Sequence, residues 1–184
     1  MSEIMIAGFG GQGILAAGVM LANAGLLAGL QTTWLPSYGA TMRGGTANCF
    51  VKIDSEEIGS PYIDEADFLL AFNEPSLLKF HGTVKKGGCI FANSSLIRKE
   101  VPRSDVNVFY VPATERAREL GDVRTANVFM LGVLFSKTAL LPYESAAASL
   151  EDYFSAKSEK VIELNKRVFG AGYEWKEGRG WNVD

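Results

Sequence analysis

A glycine-rich loop near the start of the chain has the residue types and spacing of an anion site. The segment Gly8-Phe9-Gly10-Gly11-Gln12-Gly13 follows a short apolar run and gives the pattern Gly-x-Gly-x-x-Gly. Between a strand and a helix, such glycines allow a tight turn and a close approach of the backbone to a ligand. The N–H groups and the dipole at the helix start attract a phosphate or a carboxylate. The loop is therefore a candidate anion site, in a pattern also found in proteins that bind NAD or FAD.

A dinucleotide site needs a further element, which this sequence lacks. An acidic residue about 20 positions after the loop should bind the ribose hydroxyls. No charged side chain occurs between Ile4 and Met42, and the first acidic residue after Glu3 is Asp54. The sequence therefore disfavours NAD or FAD binding, and a free-standing nucleotide-binding protein is only an alternative.

The second unusual stretch is "PSYGATMRGGTA" from Pro36 to Ala47, in which Arg43 is the one cation among small and hydroxyl residues. An arginine beside two glycines suits bidentate recognition of a carboxylate or a phosphate. Arg43 would equally fit a structural ion pair with a carboxylate such as Asp64 or Asp67. We expect the two stretches to form one site, in which Gln12 adds a side-chain amide. The predicted ligand contacts are Gly8, Gly10, Gly11, Gln12, Gly13, Ser37, Tyr38, Arg43, Gly44 and Gly45.

Strands and helices must alternate to position these loops. The predicted strands are Ile4–Ala7, Gln31–Trp34, Ala47–Ile53, Phe68–Phe72, Cys89–Ala92 and Val106–Val111. The predicted helices are Gln12–Ala28, Pro75–Lys85, Ala113–Leu120, Thr125–Thr138 and Tyr143–Val168. This alternation, with continuous apolar strands, predicts an α/β fold: a Rossmann-like three-layer sandwich with a mostly parallel sheet. The alternating segment from Ala47 to Ile58, with its Asp-Ser-Glu turn, predicts a local antiparallel hairpin.

The helix after the glycine loop is rich in small residues, which allow another backbone to approach closely. Two interpretations stay open: the helix packs on its own sheet, or it packs on another subunit. The uncharged run from Ile14 to Leu30 is shorter than the roughly 20 residues of a membrane span, so we expect a buried helix and no membrane partner. The Gly-rich and aromatic C-terminal tail either packs as a strap or contacts a partner.

The overall composition indicates a single globular domain over residues 1–184. The net charge of −3 and the pI near 5.3 give no basic footprint for nucleic acid. Cys49 and Cys89 lie too far apart for a cluster or zinc motif, so we expect reduced thiols in a cytoplasmic protein. His81 stands where the helix from Pro75 should end, and a cation at that end is its ordinary explanation. No acid–base pair is evident, so we predict no catalytic residue in this chain.

Four segments in order carry a resemblance to a known family. They are "GFGGQG", "PSYGATMRGGTANC", "IGSPYIDEADFLLAFNEPSLLKF" and "TANVFMLGVL", which together extend from about Ile4 to Leu134. The sequence resembles the gamma subunit of the 2-oxoacid:ferredoxin oxidoreductases. The Ser-Tyr-Gly that precedes Arg-Gly-Gly is more similar to the 2-oxoglutarate and branched-chain 2-oxoacid types than to the pyruvate type.

The resemblance implies a subunit of a larger oxidoreductase that is inert alone. The complete enzyme would convert a 2-oxoacid and coenzyme A into acyl-CoA and CO2 while reducing ferredoxin. Thiamine diphosphate, Mg and iron–sulfur clusters would be held mainly by the alpha, beta and ferredoxin-like delta subunits. This chain alone would bind no cofactor, and its two loops would contact coenzyme A or the oxoacid near the active site. A purely structural assembly subunit is the other alternative, and the isolated chain could form a homodimer.

Overall fold

A mixed six-stranded sheet forms the centre of the computed structural model, which describes residues 1–38 and 45–176. In chain order the strands are β1 (Ser2–Phe9), β2 (Gln31–Tyr38), β3 (Thr46–Asp54), β4 (Ala66–Ala71), β5 (Val84–Asn93) and β6 (Asn107–Val111). Their order across the sheet is β2-β3-β1-β4-β5-β6. The helices are α1 (Ile14–Leu27), α2 (Glu74–Phe80), α3 (Ala113–Glu119), α4 (Ala126–Thr138), α5 (Tyr143–Phe154) and α6 (Glu159–Tyr173). The predicted α/β fold with a mostly parallel sheet is confirmed.

The antiparallel element consists of β3, which runs against both of its neighbours. It pairs with β1 from Ser2↔Ile53 to Phe9↔Thr46 and with β2 from Gln31↔Asp54 to Tyr38↔Ala47. The remaining pairs, β1–β4, β4–β5 and β5–β6, are parallel. The sequence correctly predicted an antiparallel element here. Its partners are earlier strands, however, and the turn at Asp54 leads to no strand before β4.

Two predicted helices have different boundaries in the structure. The helix from Pro75 ends at Phe80, because the chain passes through one 3-10 turn and enters β5 at Val84. His81 caps this helix as expected. The predicted single helix Tyr143–Val168 is wrong, since it is two helices, α5 and α6. Both helices keep an apolar face toward the core, so the spacing of apolar residues alone did not reveal the break at 155–158.

The helices cover the two faces of the sheet unequally. One apolar cluster joins α1, α3, α4, α5 and α6 to the face that carries Ile4, Ile6 and Leu70. A smaller cluster on the opposite face joins Leu77 of α2 and the connecting segments to Met5 and other inward residues. Within the described ranges, no helix combines the length and the hydropathy that crossing a membrane requires.

The small residues of α1 allow it to lie close to its own sheet. A Cβ added to Gly18 would come within 2.5 Å of the Cys49 sulfur, and one added to Gly25 within 2.5 Å of Thr32 Cγ2. A larger residue at either position would push the helix away from β2 and β3. The structure therefore supports packing on the protein's own sheet as the role of these glycines.

A partly buried ion network ties the amino ends of β1, β4 and β5 to the carboxyl end of β3. Glu3 lies 3.0 Å from Lys52 and 2.8 Å from Lys85, and Lys85 also binds Asp67 at 2.8 Å. Burial alone would raise the pKa of Glu3, but hydrogen bonds from Lys85 and Lys52 outweigh it and hold this pKa below its usual 4.5. The ionised form of Glu3 therefore stabilises the folded protein.

We expect Glu3→Gln to reduce the free energy of unfolding at neutral pH by about 2 kcal/mol, because Lys52 would stay buried without its carboxylate. A lowered folded-state pKa stabilises the protein above the unfolded-state pKa, and this contribution is lost as pH falls through the folded-state value. The difference between the variant and the parent protein should therefore shrink below about pH 4.5. Urea unfolding from neutral pH down to about pH 3.5 measures it.

Glu163→Gln is the matched control. The Glu163 side chain is 67% exposed and lies 3.8 Å from Lys166, so the loss should be within about 0.5 kcal/mol at every pH. Equal losses for the two variants would contradict a stabilising role of the Glu3 network.

Candidate anion cleft at the start of helix α1

The glycine loop turns sharply between β1 and α1. Gly11 and Gly13 have φ values of +100° and +73°, in the left-handed region that side chains with a Cβ rarely occupy. The N–H of Gln12 donates to the Phe9 carbonyl at 3.1 Å, and α1 begins at Ile14. The glycines at these two positions thus permit the turn that the sequence predicted.

The Gln12 side chain braces this loop from inside. Its Oε1 accepts hydrogen bonds from the Phe9 N–H at 2.7 Å and from Asn73 Nδ2 at 3.0 Å. Its Nε2 is 3.4 Å from the Phe72 carbonyl oxygen. The carboxamide therefore connects the loop to the carboxyl end of β4. Its oxygen is already occupied by hydrogen bonds within the protein.

Asn127, in the first turn of α4, holds the end of the loop. Its Nδ2 donates to the Gly13 carbonyl at 3.0 Å, and a Cβ on Gly13 would lie 2.5 Å from the same nitrogen. The Asn127 side chain is buried, so this hydrogen bond also satisfies an amide that water cannot reach. A glycine is thus required at position 13 both by the positive φ and by the close approach of Asn127.

An open cleft of about 310 Å³ lies over the loop and the first turn of α1. No side chain caps α1, and its first turn carries no acidic residue. The first-turn N–H groups of a helix have no partner within the helix, so they are available to an anion. The walls are mostly apolar. The cleft is lined by Phe9, Gly10, Gly11, Gly13, Ile14, Leu15, Ala16, Gly45, Thr46 and Ala47.

The structure brings together part of the predicted site. Gly10 donates its N–H to the Gly45 carbonyl at 2.9 Å, which joins the first loop to the end of the second. Gly8 lies beneath the loop, where a Cβ would meet Ile14 and Gln12 at 2.6 and 2.7 Å. Ser37 is exposed on β2 and does not line the cleft, while the backbone of Tyr38 pairs with Ala47. The predicted contacts of Arg43 and Gly44 lie outside the described residues.

The sheet order gives a structural reason against dinucleotide binding. In the dinucleotide fold, the strand that follows the first helix is a neighbour of β1, and its end carries the acid that binds ribose. Here β3 lies between β1 and β2, so β2 is displaced by one further strand spacing of about 4.8 Å. The missing acidic residue and the displaced strand therefore both argue against NAD or FAD binding.

Sequence analysis missed two asparagines that organise this end of the sheet. Asn93 ends β5 and is fully buried, with Nδ2 2.8 Å from Thr114 Oγ1. For Asn93 a signal was available, because the apolar runs "FLLAFN" and "CIFAN" both end in asparagine. Asn127 lies inside the predicted helix Thr125–Thr138, where no such signal exists. Polar residues that follow buried parallel strands meet at the carboxyl edge of a sheet.

The Cys49 thiol is buried against the first turn of α1, with its sulfur 3.6 Å from the Ile14 carbonyl oxygen. Burial raises the pKa of the Cys49 thiol to about 12, which keeps it protonated and non-nucleophilic. Desolvation also raises the pKa of Cys89. The carbonyl of His81 accepts a hydrogen bond from Arg103 at the end of α2. Across the described ranges, His, Cys, Asp and Glu form no group of three or more arranged to hold a metal ion.

Comparison with known proteins identifies the family of this domain. The model of the family described as pyruvate ferredoxin/flavodoxin oxidoreductase matches residues 3–175. The chain belongs to this family.

Relatives within the family include separate chains and parts of longer ones. The 2-oxoglutarate synthase subunit KorC of Methanothermobacter thermautotrophicus is 33% identical, with 94% of this chain and 93% of KorC covered. The ketoisovalerate oxidoreductase subunit VorA of Methanothermobacter marburgensis is 42% identical over 94% of this chain. The match spans only 36% of VorA, so this chain corresponds to about a third of that relative's length.

Solved structures from the family share the fold. The gamma subunit of a keto/oxoacid ferredoxin oxidoreductase from Geobacter sulfurreducens superposes with a TM-score of 0.81 at 29% identity, covering 95% of this chain and 97% of that one. The 2-oxoglutarate:ferredoxin oxidoreductase of Magnetococcus marinus, with 2-oxoglutarate, coenzyme A and succinyl-CoA bound, gives 0.84 at 27% identity over 94% of this chain and 30% of that one. The resemblance to gamma subunits is thereby confirmed.

The geometry of the loop predicts that Gly13→Ala destabilises the protein more than Gly29→Ala. Both glycines have positive φ, at +73° and +80°, so each variant should lose about 1 kcal/mol to backbone strain. Only Gly13 is also crowded, by Asn127 at 2.5 Å, while nothing lies within 4 Å of a Cβ on Gly29. Overpacking should add about 1–3 kcal/mol at Gly13, measured by urea unfolding. Equal losses would show that the contact with Asn127 does not constrain the loop.

Proposed function

We propose that this chain is the gamma subunit of a thiamine-diphosphate-dependent 2-oxoacid:ferredoxin oxidoreductase. The observation that carries the proposal is the nearly full-length match, in sequence and in fold, to separate subunits of such enzymes. KorC is matched over 93% of its length and the Geobacter gamma subunit over 97%. The single domain would act as one subunit beside alpha, beta and ferredoxin-like delta subunits.

The complete enzyme would carry out the oxidative decarboxylation of a 2-oxoacid. The bond between the carboxylate and the 2-oxo carbon breaks to release CO2, and the acyl group forms a thioester with coenzyme A. The electrons leave through iron–sulfur clusters to ferredoxin. Thiamine diphosphate, bound with Mg on other subunits, supplies the carbanion stabilisation of this chemistry. The 2-oxoacid would be 2-oxoglutarate or a branched-chain acid, in line with the names of the KorC and VorA relatives.

Within that assembly, the cleft over α1 would hold an anionic group at the active site. The uncapped start of α1 offers unpaired N–H groups without a competing carboxylate, which suits the pyrophosphate of coenzyme A or an oxoacid carboxylate. Gly11 and Gly13 let the backbone approach the ligand closely. Arg43, five residues before Asn48 in the sequence, would supply the balancing charge.

A purely structural assembly role is the second candidate. The cleft walls are mostly apolar, and the Gln12 oxygen is already bound within the protein. In this alternative, the loop receives the backbone of another subunit and no ligand touches it. Both candidates place the protein in the cytoplasm, where thiols such as Cys49 and Cys89 usually stay free.

The isolated chain should show no coenzyme-A-dependent oxidation of any 2-oxoacid, because the thiamine and redox centres lie on other subunits. Reduction of ferredoxin or a viologen dye by the purified chain, alone and with the co-expressed subunits, measures this. Turnover by the chain alone would contradict the proposal.

Arg43→Ala in the complete complex should raise the apparent KM for coenzyme A or for the oxoacid by about tenfold or more, as expected when a charged hydrogen bond is lost. Arg116→Ala is the control, since this half-exposed arginine forms an ion pair with Glu119 on the same helix, α3. Steady-state kinetics with each substrate varied separately distinguish the two ligands. If neither KM changes and the complex stays assembled, Arg43 is not a ligand contact and the assembly role is favoured.

A further inference from the structure

The edge strand β2 is long and uncharged, and Pro36 is the one residue in it of a type that usually protects a sheet edge. It is eight residues long, and no charged residue occurs in it. Proteins commonly block long edge strands with lysines, bulges or a covering segment, because unpaired N–H and C=O groups recruit other strands. The opposite edge, β6, is only five residues long and follows the charged Arg103–Asp105 ion pair. Of the two edges, β2 is therefore the better suited to pair with an added strand.

The backbone of β2 presents pairing groups to the outside at alternate residues. Pro36 lies opposite Cys49 and has no N–H, so this position belongs to the set that points away from β3. Antiparallel pairing alternates along the strand, so Thr32 and Trp34 also point outward. These two residues offer N–H and C=O groups, and Pro36 offers a further C=O, to an added strand.

An apolar groove runs beside the same edge, between α1, β2 and α5. Its volume is about 280 Å³, and its walls include Leu26, Trp34 and Tyr153. Leu26 is 56% exposed and Tyr153 42% exposed, although both are large and apolar. Asn23 and Asp152, the two polar wall residues, hydrogen-bond each other at 3.1 Å. The groove therefore suits an apolar side chain that enters next to a paired strand.

The position of β2 indicates which polypeptide covers it. The last residue of β2 pairs with Ala47, and Ala47, Thr46 and Gly45 line the anion cleft. A segment seated along β2 would therefore reach the mouth of that cleft. In VorA the matching region is about a third of a longer chain, whereas KorC is matched over nearly its whole length. Contacts that this domain makes within one chain in a longer relative such as VorA would be made between two chains where the domain is a separate subunit, as in KorC.

We infer that β2 is the docking edge for a catalytic subunit of the same enzyme. That subunit adds an extended, uncharged segment to β2 and inserts an apolar side chain into the groove lined by Leu26, Trp34 and Tyr153. This inference rests on the proposed function, because it takes the partner to be the chain that holds the cofactor. It predicts that subunit docking and completion of the cleft occur through the same edge.

Hydrogen–deuterium exchange compares the purified chain with the assembled complex of co-expressed subunits. The amides of Thr32 and Trp34 should exchange at least tenfold more slowly in the complex, because they point away from β3 and gain strand partners there. The exposed amides of α2 should be unchanged. If the complex assembles and Thr32 and Trp34 show no added protection, the docking inference is wrong while the proposed function stands. If no complex forms with the co-expressed catalytic subunits, the proposed function itself is contradicted.

Leu26→Lys and Leu78→Lys form a matched pair for the groove. Both leucines lie near helix ends, and they are 56% and 45% exposed, so neither variant should disturb the fold. Leu26→Lys should weaken assembly about tenfold, because a charge replaces an apolar contact at the interface. Leu78→Lys should leave it unchanged.

Equal effects of the two leucine variants would overturn the inference. A concentration-dependent dimer of the isolated chain, with Thr32 and Trp34 protected in the dimer and not further in the complex, would assign this edge to a second copy and would also overturn the inference. Analytical ultracentrifugation of each variant, at several concentrations, provides that measurement.

Discussion

The shape of the cleft depends on the hydrogen bonds of the Gln12 carboxamide. One oxygen accepts both the N–H at the end of β1 and the amide of Asn73 after β4, at 2.7 and 3.0 Å. The loop is thereby fixed to two adjacent parallel strands, and Asn127 fixes its far end to α4. Buried polar groups that satisfy one another in this way specify a single arrangement, because any alternative leaves some of them unpaired.

The insertion of β3 between β1 and β2 changes what a familiar loop can do. The glycine pattern itself is that of a phosphate-binding turn, and its backbone angles are compatible with that use. The neighbouring strand, however, runs in the opposite direction and begins, rather than ends, at the cleft. The start of β3 at Thr46 therefore lies beside the end of β1, where the strand that carries the ribose-binding acid would end in a dinucleotide fold. The glycine loop alone therefore does not make a dinucleotide site.

The sequence predicted most of the fold because its signals were local. All six strands and the glycine loop follow from apolar runs and breaks in them. The partners of β3 and the break between α5 and α6 were not predictable in this way, since pairing across the sheet and a short interruption at 155–158 leave no periodic signal. The site was predicted in part: the turn at Gly11 and Gly13 was expected, whereas the sequence did not reveal that Phe9 and Asn73 bind the Gln12 oxygen. Side-chain direction in a loop depends on distant residues that sequence spacing does not reveal.

The order of the strands also sets the order in which the protein can be completed during synthesis. β1 is made first, yet both of its neighbours come later, and β4 is complete only at Ala71. Until then, the uncharged stretch from Ile4 to Met42 has emerged without the strands that cover it. Such non-local pairing folds slowly and exposes apolar surface to aggregation. During translation, the interval between the synthesis of β1 and the completion of β4 at Ala71 is therefore an aggregation-prone stage for this chain.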